Sequence, residues 1–247
     1  HLGALIPIPY SYVHPREFIA ANITGTFNVL EAARQHDLGR VVHVSSSEVY
    51  GTPETTPIAE THPLRAQSPY AATKIGADQL SLSYFHSFDL PVVIARPFNT
   101  YGPRQSARAV IPTIIAQALV GDTVRLGNLS ATRDLVYVTD TVDAFRRCCS
   151  AEGAVGTVIN IGSGSEISVG ALAGLIFEIM GKDVALVSDA ERVRPESSEV
   201  ERLLADAGRA AEILDWTPGV GLREGLEKTI AWITESLDAY KPSIYNV

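Results

Sequence analysis

The chain has 247 residues, of which 46% are hydrophobic and 19% charged, and this is the composition of a globular protein with a substantial core. Its net charge of −8 argues against a nucleic-acid or membrane-surface role, and no apolar run reaches the roughly 18 residues that span a bilayer. The only cysteines, Cys148 and Cys149, are neighbours that could pair only under strain, so we expect free thiols in a reducing cytoplasm. No His, Cys or carboxylate cluster has metal-ligand spacing, and no metal site is predicted.

Residues 16–96 read as alternating helices and strands. Apolar residues recur every three to four positions over residues 16–36, which predicts a helix. An apolar run at 40–46 predicts a buried strand, and Ser68 is suited to cap a second helix that runs to about residue 88. Another strand is predicted at 92–96. This order of elements is typical of a doubly wound parallel α/β sheet.

After residue 105 the pattern loosens into a mixed α/β region with scattered arginines. Helices are predicted near residues 110–120, 139–150, 168–181, 206–214 and 221–238, and short strands near 123–127, 134–138 and 157–161. We therefore predict two units. Residues 1–105 form part of a cofactor-binding sheet, and residues 106–247 form mainly a smaller substrate-binding lobe, with some segments that return to the first sheet.

Two motifs point to chemistry. Tyr70 and Lys74 are one helical turn apart, so both side chains leave the same helix face. An ammonium beside a phenol lowers the phenol pKa from about 10 towards neutrality, which gives a base for a sugar or alcohol hydroxyl while hydride leaves the same carbon. Upstream, residues 45–48 are three serines and a glutamate that follow an apolar strand. Open α/β sheets build their sites at such carboxyl ends.

Together with further motifs, these segments resemble the extended short-chain dehydrogenases/reductases that act on nucleotide sugars, the NAD-dependent epimerase/dehydratase family. The matching segments are residues 1–4, 22–32, 45–51, 70–74, 96–104, 133–140, 160–164 and 194–195. The resemblance implies a Rossmann-type sheet, NAD as cofactor, a nucleotide-sugar substrate and a homodimer formed through the helices near 16–36 and 69–88. Within the family, four segments resemble the 4,6-dehydratases of legionaminic acid biosynthesis: residues 8–12, 67–70, 103–112 and 240–247.

The dinucleotide-binding part of the family pattern is not in the sequence. The family normally starts with a strand, a GxxGxxG loop and a helix, so the resemblance implies that roughly 70–80 residues precede His1 in a complete enzyme. It also implies a set of cofactor contacts, with Lys74 on the nicotinamide ribose. These residues are Leu2, Gly3, Ser45, Tyr70, Lys74 and Arg96.

The catalytic roles implied by the resemblance are those of a 4,6-dehydratase, which oxidises C4, eliminates water across C5–C6 and reduces C6 to give a 4-keto-6-deoxy sugar. Tyr70 is expected to remove the C4 hydroxyl proton, with Ser46 holding that oxygen. Glu48 is expected to take the C5 proton. Ser47 stands where related dehydratases often have a second acid, so Glu48 is also expected to pass a proton to the C6 leaving group, with Ser47 assisting.

The substrate contacts are expected mainly from arginines. Arg133 and Arg194 would bind the diphosphate, because a guanidinium fork matches phosphate oxygens. Asn99 would contact the diphosphate or the sugar, and Arg125 the nucleotide base. The segments that resemble the legionaminic acid dehydratases favour a GDP- or UDP-linked N-acetylhexosamine as substrate.

Three other functions stay open at this point. Sugar 4-epimerases share most of the motifs but need no base for C5, and nucleotide-sugar decarboxylases also carry the Ser-Glu pair found at residues 47–48. A non-catalytic homologue that only binds a nucleotide sugar is the third, because the Gly-rich unit is absent. The intact set of Ser46, Glu48, Tyr70 and Lys74 opposes that last interpretation.

Overall fold

A computed structural model describes residues 1–241, so most of the 240–247 segment lies outside the described residues. The helix predicted at 16–36 is confirmed, with one local irregularity. Short helices α1 (Ile8–Val13) and α2 (Pro15–Phe18) lead into a π-helical segment, Ile19–Thr24, and then into α3 (Gly25–Gln35). The periodicity could not reveal the π segment, because one extra residue per turn hardly changes the spacing of apolar positions.

The first unit is a parallel sheet in the order β1-β2-β6, formed by β1 (Val41–Val44), β2 (Val92–Pro97) and β6 (Val158–Ile161). Alternate residues of β2 face opposite layers of helices. Val92 and Ile94 pack with α3 and with α4 (Pro69–Phe88). The intervening residues of β2 pack with α6 (Val138–Ser150) and α8 (Gly208–Leu214). Helices on both faces confirm the doubly wound Rossmann-type fold.

The second unit packs helices against short strands. Its apolar core brings together α5 (Val110–Val120), α7 (Val169–Met180) and α9 (Leu222–Glu235). The central strand β5 (Thr132–Tyr137) pairs with three others: β3 (Asn99–Tyr101), β7 (Glu166–Ser168) and β9 (Arg202–Leu203). Two more strands, β4 (Thr123–Leu126) and β8 (Ala185–Ser188), form a separate parallel pair. The strands near 123–127, 134–138 and 157–161 and the helices predicted after residue 105 are confirmed.

The chain crosses between the two units more than once. Strand β6 belongs to the second half of the sequence but pairs with β2, and α6 and α8 cover the same sheet. The domain boundary at residue 105 therefore stays a prediction from the sequence. Within the described residues, no helix is long and apolar enough to cross a membrane.

Candidate active site

Ser46 and Glu48 follow β1 on a short 3-10 helix, Ser47–Tyr50. Ser46 has an extended backbone and caps this helix, because its Oγ accepts a hydrogen bond of 3.2 Å from the Glu48 N–H. Gly51 ends the helix with a φ of +63°, a conformation that favours glycine. The cap and the glycine together fix the direction in which the Glu48 side chain leaves the sheet.

Tyr70 and Lys74 lie in the first two turns of α4. As predicted, Ser68 caps this helix: its Oγ accepts a 3.1 Å hydrogen bond from the Ala71 N–H. Tyr70 is buried against the edge of Phe18 at a ring separation of 6.2 Å. The Lys74 ammonium is also buried and donates a 2.6 Å hydrogen bond to the carbonyl of Val44, the last residue of β1.

The electrostatics of Tyr70 differ from the sequence-based prediction. Burial raises the pKa of its phenol well above the ordinary value; a hydrogen bond with Ser46 opposes the rise, and the negative charge of Glu48 adds to it. The prediction that Lys74 lowers this pKa towards neutrality is wrong for the chain by itself. The Lys74 ammonium is directed at the Val44 carbonyl, and the loss of water around the phenol outweighs other influences.

Asp78 lies one further turn along α4, on the same face as Tyr70 and Lys74, and is fully buried. Its Oδ2 accepts a 2.7 Å hydrogen bond from Ser45 Oγ and a 2.8 Å bond from the guanidinium of Arg96. Its Oδ1 is 3.2 Å from His43 Nε2. Sequence reasoning missed Asp78, although its spacing of four residues from Lys74 was a signal for the shared face.

The Asp78 network accounts for two residues that were predicted to contact the cofactor. The Arg96 guanidinium is buried between Asp78 and Tyr50, whose hydroxyl it reaches at 2.9 Å. Ser45 Oγ is likewise turned inward. Both side chains therefore join the sheet to α4.

The residues at the start of the chain lie beside β1. The His1 ammonium donates a 2.8 Å hydrogen bond to the Val42 carbonyl, and the Val44 N–H donates to the His1 carbonyl at 3.2 Å. This is the pattern of a parallel neighbour strand. Leu2 is 72% exposed and Gly3 is also exposed, so neither residue is enclosed by the described part of the chain.

A cavity of about 280 Å³ opens next to Glu48. Three of the four predicted substrate-binding residues line it: Asn99, Arg133 and Arg194. The fourth, Arg125, is exposed on β4 and is not part of the lining. Three charged residues that sequence reasoning did not select also line the cavity: Arg108, Arg192 and Glu199.

The charged groups of the cavity form a chain of ion pairs. Glu199 Oε1 lies 3.2 Å from Arg133 Nη2 and 3.7 Å from Arg194 Nη1, and the same Arg194 nitrogen lies 4.0 Å from Glu48 Oε1. Burial lowers the pKa of Arg133, although Glu48 and Glu199 stabilise its charge. Four arginines and two glutamates line the cavity, so it is suited to an anion that also carries polar groups. In the described residues no group of His, Cys, Asp and Glu could hold a metal ion.

Comparisons with known proteins identify the family. The model of the family described as GDP-mannose 4,6 dehydratase matches residues 1–229. A dTDP-glucose 4,6-dehydratase from an Actinoplanes species is 35% identical over 233 residues, which cover 94% of this chain and 72% of that protein. A UDP-glucose 4-epimerase from Mycolicibacterium smegmatis is 37% identical over 235 residues, covering 93% of this chain and 74% of the relative.

Solved structures agree with this assignment. A double mutant of DesIV, the dTDP-glucose 4,6-dehydratase of Streptomyces venezuelae, was solved with NAD bound. It superimposes with a TM-score of 0.89 at 30% identity, over 98% of this chain and 74% of that structure. The chain therefore belongs to the GDP-mannose 4,6 dehydratase family of extended short-chain dehydrogenases/reductases.

Proposed function

We propose that the chain carries the catalytic residues of an NAD-dependent nucleotide-sugar 4,6-dehydratase. The observation that carries the proposal is the position of Glu48. Its carboxylate lines the cavity that also holds Asn99 and the two diphosphate-binding candidates, and it is close enough to Tyr70 to affect the pKa of that phenol. A carboxylate there can reach a sugar whose C4 hydroxyl is held by Tyr70.

The residues divide the proton transfers among them. Tyr70 takes the proton of the C4 hydroxyl as hydride leaves C4, and the Ser46 hydroxyl holds the same oxygen. The C4 ketone acidifies the proton on C5, which Glu48 removes as the C6 hydroxyl leaves as water. Glu48, which lines the cavity, also delivers the proton that this water needs, and the neighbouring Ser47 assists.

NAD fits the residues that are present. Lys74 has three N–H donors, and Val44 accepts one of them, so the ammonium can also hold the hydroxyls of the nicotinamide ribose. When bound, NAD⁺ would accept the hydride from C4 and return it to C6, and its cationic ring would favour the phenolate form of Tyr70. Among the proposed cofactor contacts, Lys74 is the one whose free N–H donors this geometry describes.

An epimerase is the second candidate, because the Mycolicibacterium smegmatis relative is named as one. Epimerisation at C4 needs the base Tyr70 but no base for C5. The two candidates therefore differ in what they require of Glu48. A decarboxylase would also use the pair at residues 47–48, but no relative among those described above carries that name.

For the substrate we propose a GDP- or UDP-linked N-acetylhexosamine. The support is that segments resembling the legionaminic acid dehydratases contribute to the cavity wall, including Pro9 and Arg108. We also propose a homodimer. Ile19, Phe27 and Phe88 are 51%, 43% and 51% exposed on the helical segments expected to form its interface.

The proposal is tested by Glu48→Gln, a change that keeps the side-chain shape and removes the base. With NAD⁺ and a nucleotide sugar in D₂O, we expect dehydration to fall by about 10²–10⁴-fold, while binding of the nucleoside diphosphate is retained. Ser165→Ala, at an exposed position outside the cavity, is the matched control. A Glu48→Gln variant that dehydrates the sugar at the normal rate would refute the role of Glu48.

A further inference from the structure

Asp78 is a fully buried carboxylate on the helix face that carries Tyr70 and Lys74, and the proposed reaction gives it no role. We propose that Asp78 is a positioning residue for Lys74. It keeps the buried amine in its ammonium form, so that Lys74 has enough N–H donors for both the end of β1 and the cofactor ribose. The inference rests on the proposed function, because it takes Lys74 to hold the nicotinamide ribose.

Lys74 and Asp78 contact adjacent residues at the end of β1. The Lys74 Nζ donates a 2.6 Å hydrogen bond to the carbonyl oxygen of Val44. Ser45, the next residue, donates a 2.7 Å hydrogen bond from its Oγ to Asp78 Oδ2. The two side chains are also one helical turn apart on α4, a spacing that makes them neighbours on the helix surface. The ammonium and the carboxylate therefore lie close together, and both side chains are buried.

Several of the groups that face Lys74 and Asp78 are cations. The Arg96 guanidinium, on β2, lies 2.8 Å from Asp78 Oδ2. The His1 ammonium, beside β1, is close enough to Lys74 for the two charges to repel. His43 on β1, whose Nε2 is 3.2 Å from Asp78 Oδ1, would add a further positive charge on gaining a proton. Asp78 is therefore the anion that this cluster of positive charges shares.

The protonation of Lys74 depends on this anion. Burial lowers the pKa of Lys74, because an amine removed from water favours its neutral form, and the charge of Asp78 opposes the fall. An opposite charge at close range changes a pKa by about one to three pKa units. The pKa of the Tyr70 phenol is raised by burial, by Glu48 and also by Asp78. The role assigned to Asp78 is thus the charge of Lys74 and not the activation of the phenol.

The protonation state decides how many donors Lys74 presents. An ammonium has three N–H donors, and the Val44 carbonyl accepts one of them, so two remain for the ribose hydroxyls. A neutral amine has one donor fewer and carries a lone pair instead. With Asp78 in place, Lys74 therefore offers the cofactor two donors that are already directed from a fixed position at the end of β1.

The test is a pH titration of the lysine side chains by carbon-13 NMR on the purified chain. The sequence has only four lysines, and the signal that disappears in Lys74→Met belongs to Lys74. In the unmodified chain we expect Lys74 to be an ammonium at about pH 7.5. In Asp78→Asn we expect the pKa of Lys74 to fall by about one pKa unit or more. Ser45→Ala is the matched control, because it removes a hydrogen bond to the same carboxylate but keeps the charge, and the pKa of Lys74 should not change.

A purely structural role for Asp78 gives a different result. If Asp78 only packed α4 against the sheet, its replacement would admit water to Lys74, and the pKa of Lys74 would rise or stay the same. Either result overturns the proposal. Should Asp78→Asn not fold, the unmodified chain still provides a test, because a Lys74 that is already neutral at about pH 7.5 overturns the proposal as well.

The titration and the reaction are separate readouts. If the chain forms the 4-keto sugar with NAD⁺ but the pKa of Lys74 does not fall in Asp78→Asn, the role of Asp78 is wrong and the proposed function stands. If the pKa of Lys74 falls as expected but the chain forms no 4-keto sugar, the control of Lys74 by Asp78 stands and the proposed function fails.

Discussion

Replacing Asp78 by Asn tests how the helix that carries Tyr70 and Lys74 is held against the sheet. The change keeps the shape of the side chain and removes its charge. Asp78 is 0% and Arg96 2% exposed, so the variant leaves a buried guanidinium without its counter-charge. Breaking a buried ion pair by removing one partner costs about 3–5 kcal/mol, and we expect a loss of stability in this range.

The measurement is urea unfolding followed by circular dichroism, with the variant compared with the unmodified chain. Glu178→Gln is the control: Glu178 pairs with Arg223 at 2.7 Å, but the two side chains are 68% and 51% exposed. Exposed pairs contribute at most about 1 kcal/mol. A loss below about 1 kcal/mol for Asp78→Asn would refute the view that this buried network secures α4.

The network also predicts how stability depends on pH. Burial favours the protonated form of Asp78, but His43 and Arg96 outweigh it and hold the pKa of this carboxyl below its usual value. A depressed carboxyl pKa contributes stability that is present above the unfolded value of about 3.9 and is lost as pH falls towards the folded value. The loss of stability on acidification through this window should be smaller in Asp78→Asn than in the unmodified chain. Urea midpoints measured between pH 5 and pH 3 test this.

Three further predictions follow from the same structure. Burial lowers the pKa of His43, so the free energy of unfolding should fall as pH drops below about 6.5, where the unfolded chain gains a proton. His43→Phe should therefore flatten the pH dependence of the urea midpoint between pH 7.5 and 5.5. A pH dependence that is unchanged in the variant contradicts this. Gly51→Ala should cost more than about 2 kcal/mol, because its φ is +63° and a Cβ would clash with a facing backbone carbonyl. Gly174 lies on α7 with open space around it, so Gly174→Ala should stabilise the folded chain by about 0.5–1 kcal/mol. Equal effects on stability at the two glycines would contradict the argument from backbone conformation. Arg133→Gln should weaken the binding of UDP, GDP or dTDP by about tenfold or more, whereas the control Arg125→Gln should leave the affinity unchanged. Equal losses of affinity in the two variants, measured by titration, would contradict the assignment of the diphosphate site to this cavity.

Local signals in the sequence were sufficient for the main elements. Ser68 caps α4 as expected, and the apolar runs predicted β1, β2 and β6. The strands that were missed are short: β3, β7, β8 and β9 have two to four residues each and no clear alternation. Such strands form because the neighbouring strand offers backbone partners, and this information is not local.

The site was harder to predict, because much of it depends on contacts between distant residues. Glu199 meets Arg133 across 66 positions of sequence. The pKa of Tyr70 rises because tertiary packing removes water, which the spacing of Tyr70 and Lys74 does not reveal. Arg125 does not line the cavity, whereas Arg108 and Arg192, which the sequence did not single out, do.

The central claim is most directly tested by the product that the chain makes. The purified chain is incubated in D₂O with NAD⁺ and, in turn, GDP- and UDP-linked N-acetylhexosamines and dTDP-glucose, and the product is followed by proton NMR. We expect a 4-keto sugar with a 6-deoxy methyl signal and deuterium at C5, because Glu48 exchanges that proton with solvent. A C4 epimer without deuterium at C5 would contradict the dehydratase and establish the epimerase in its place.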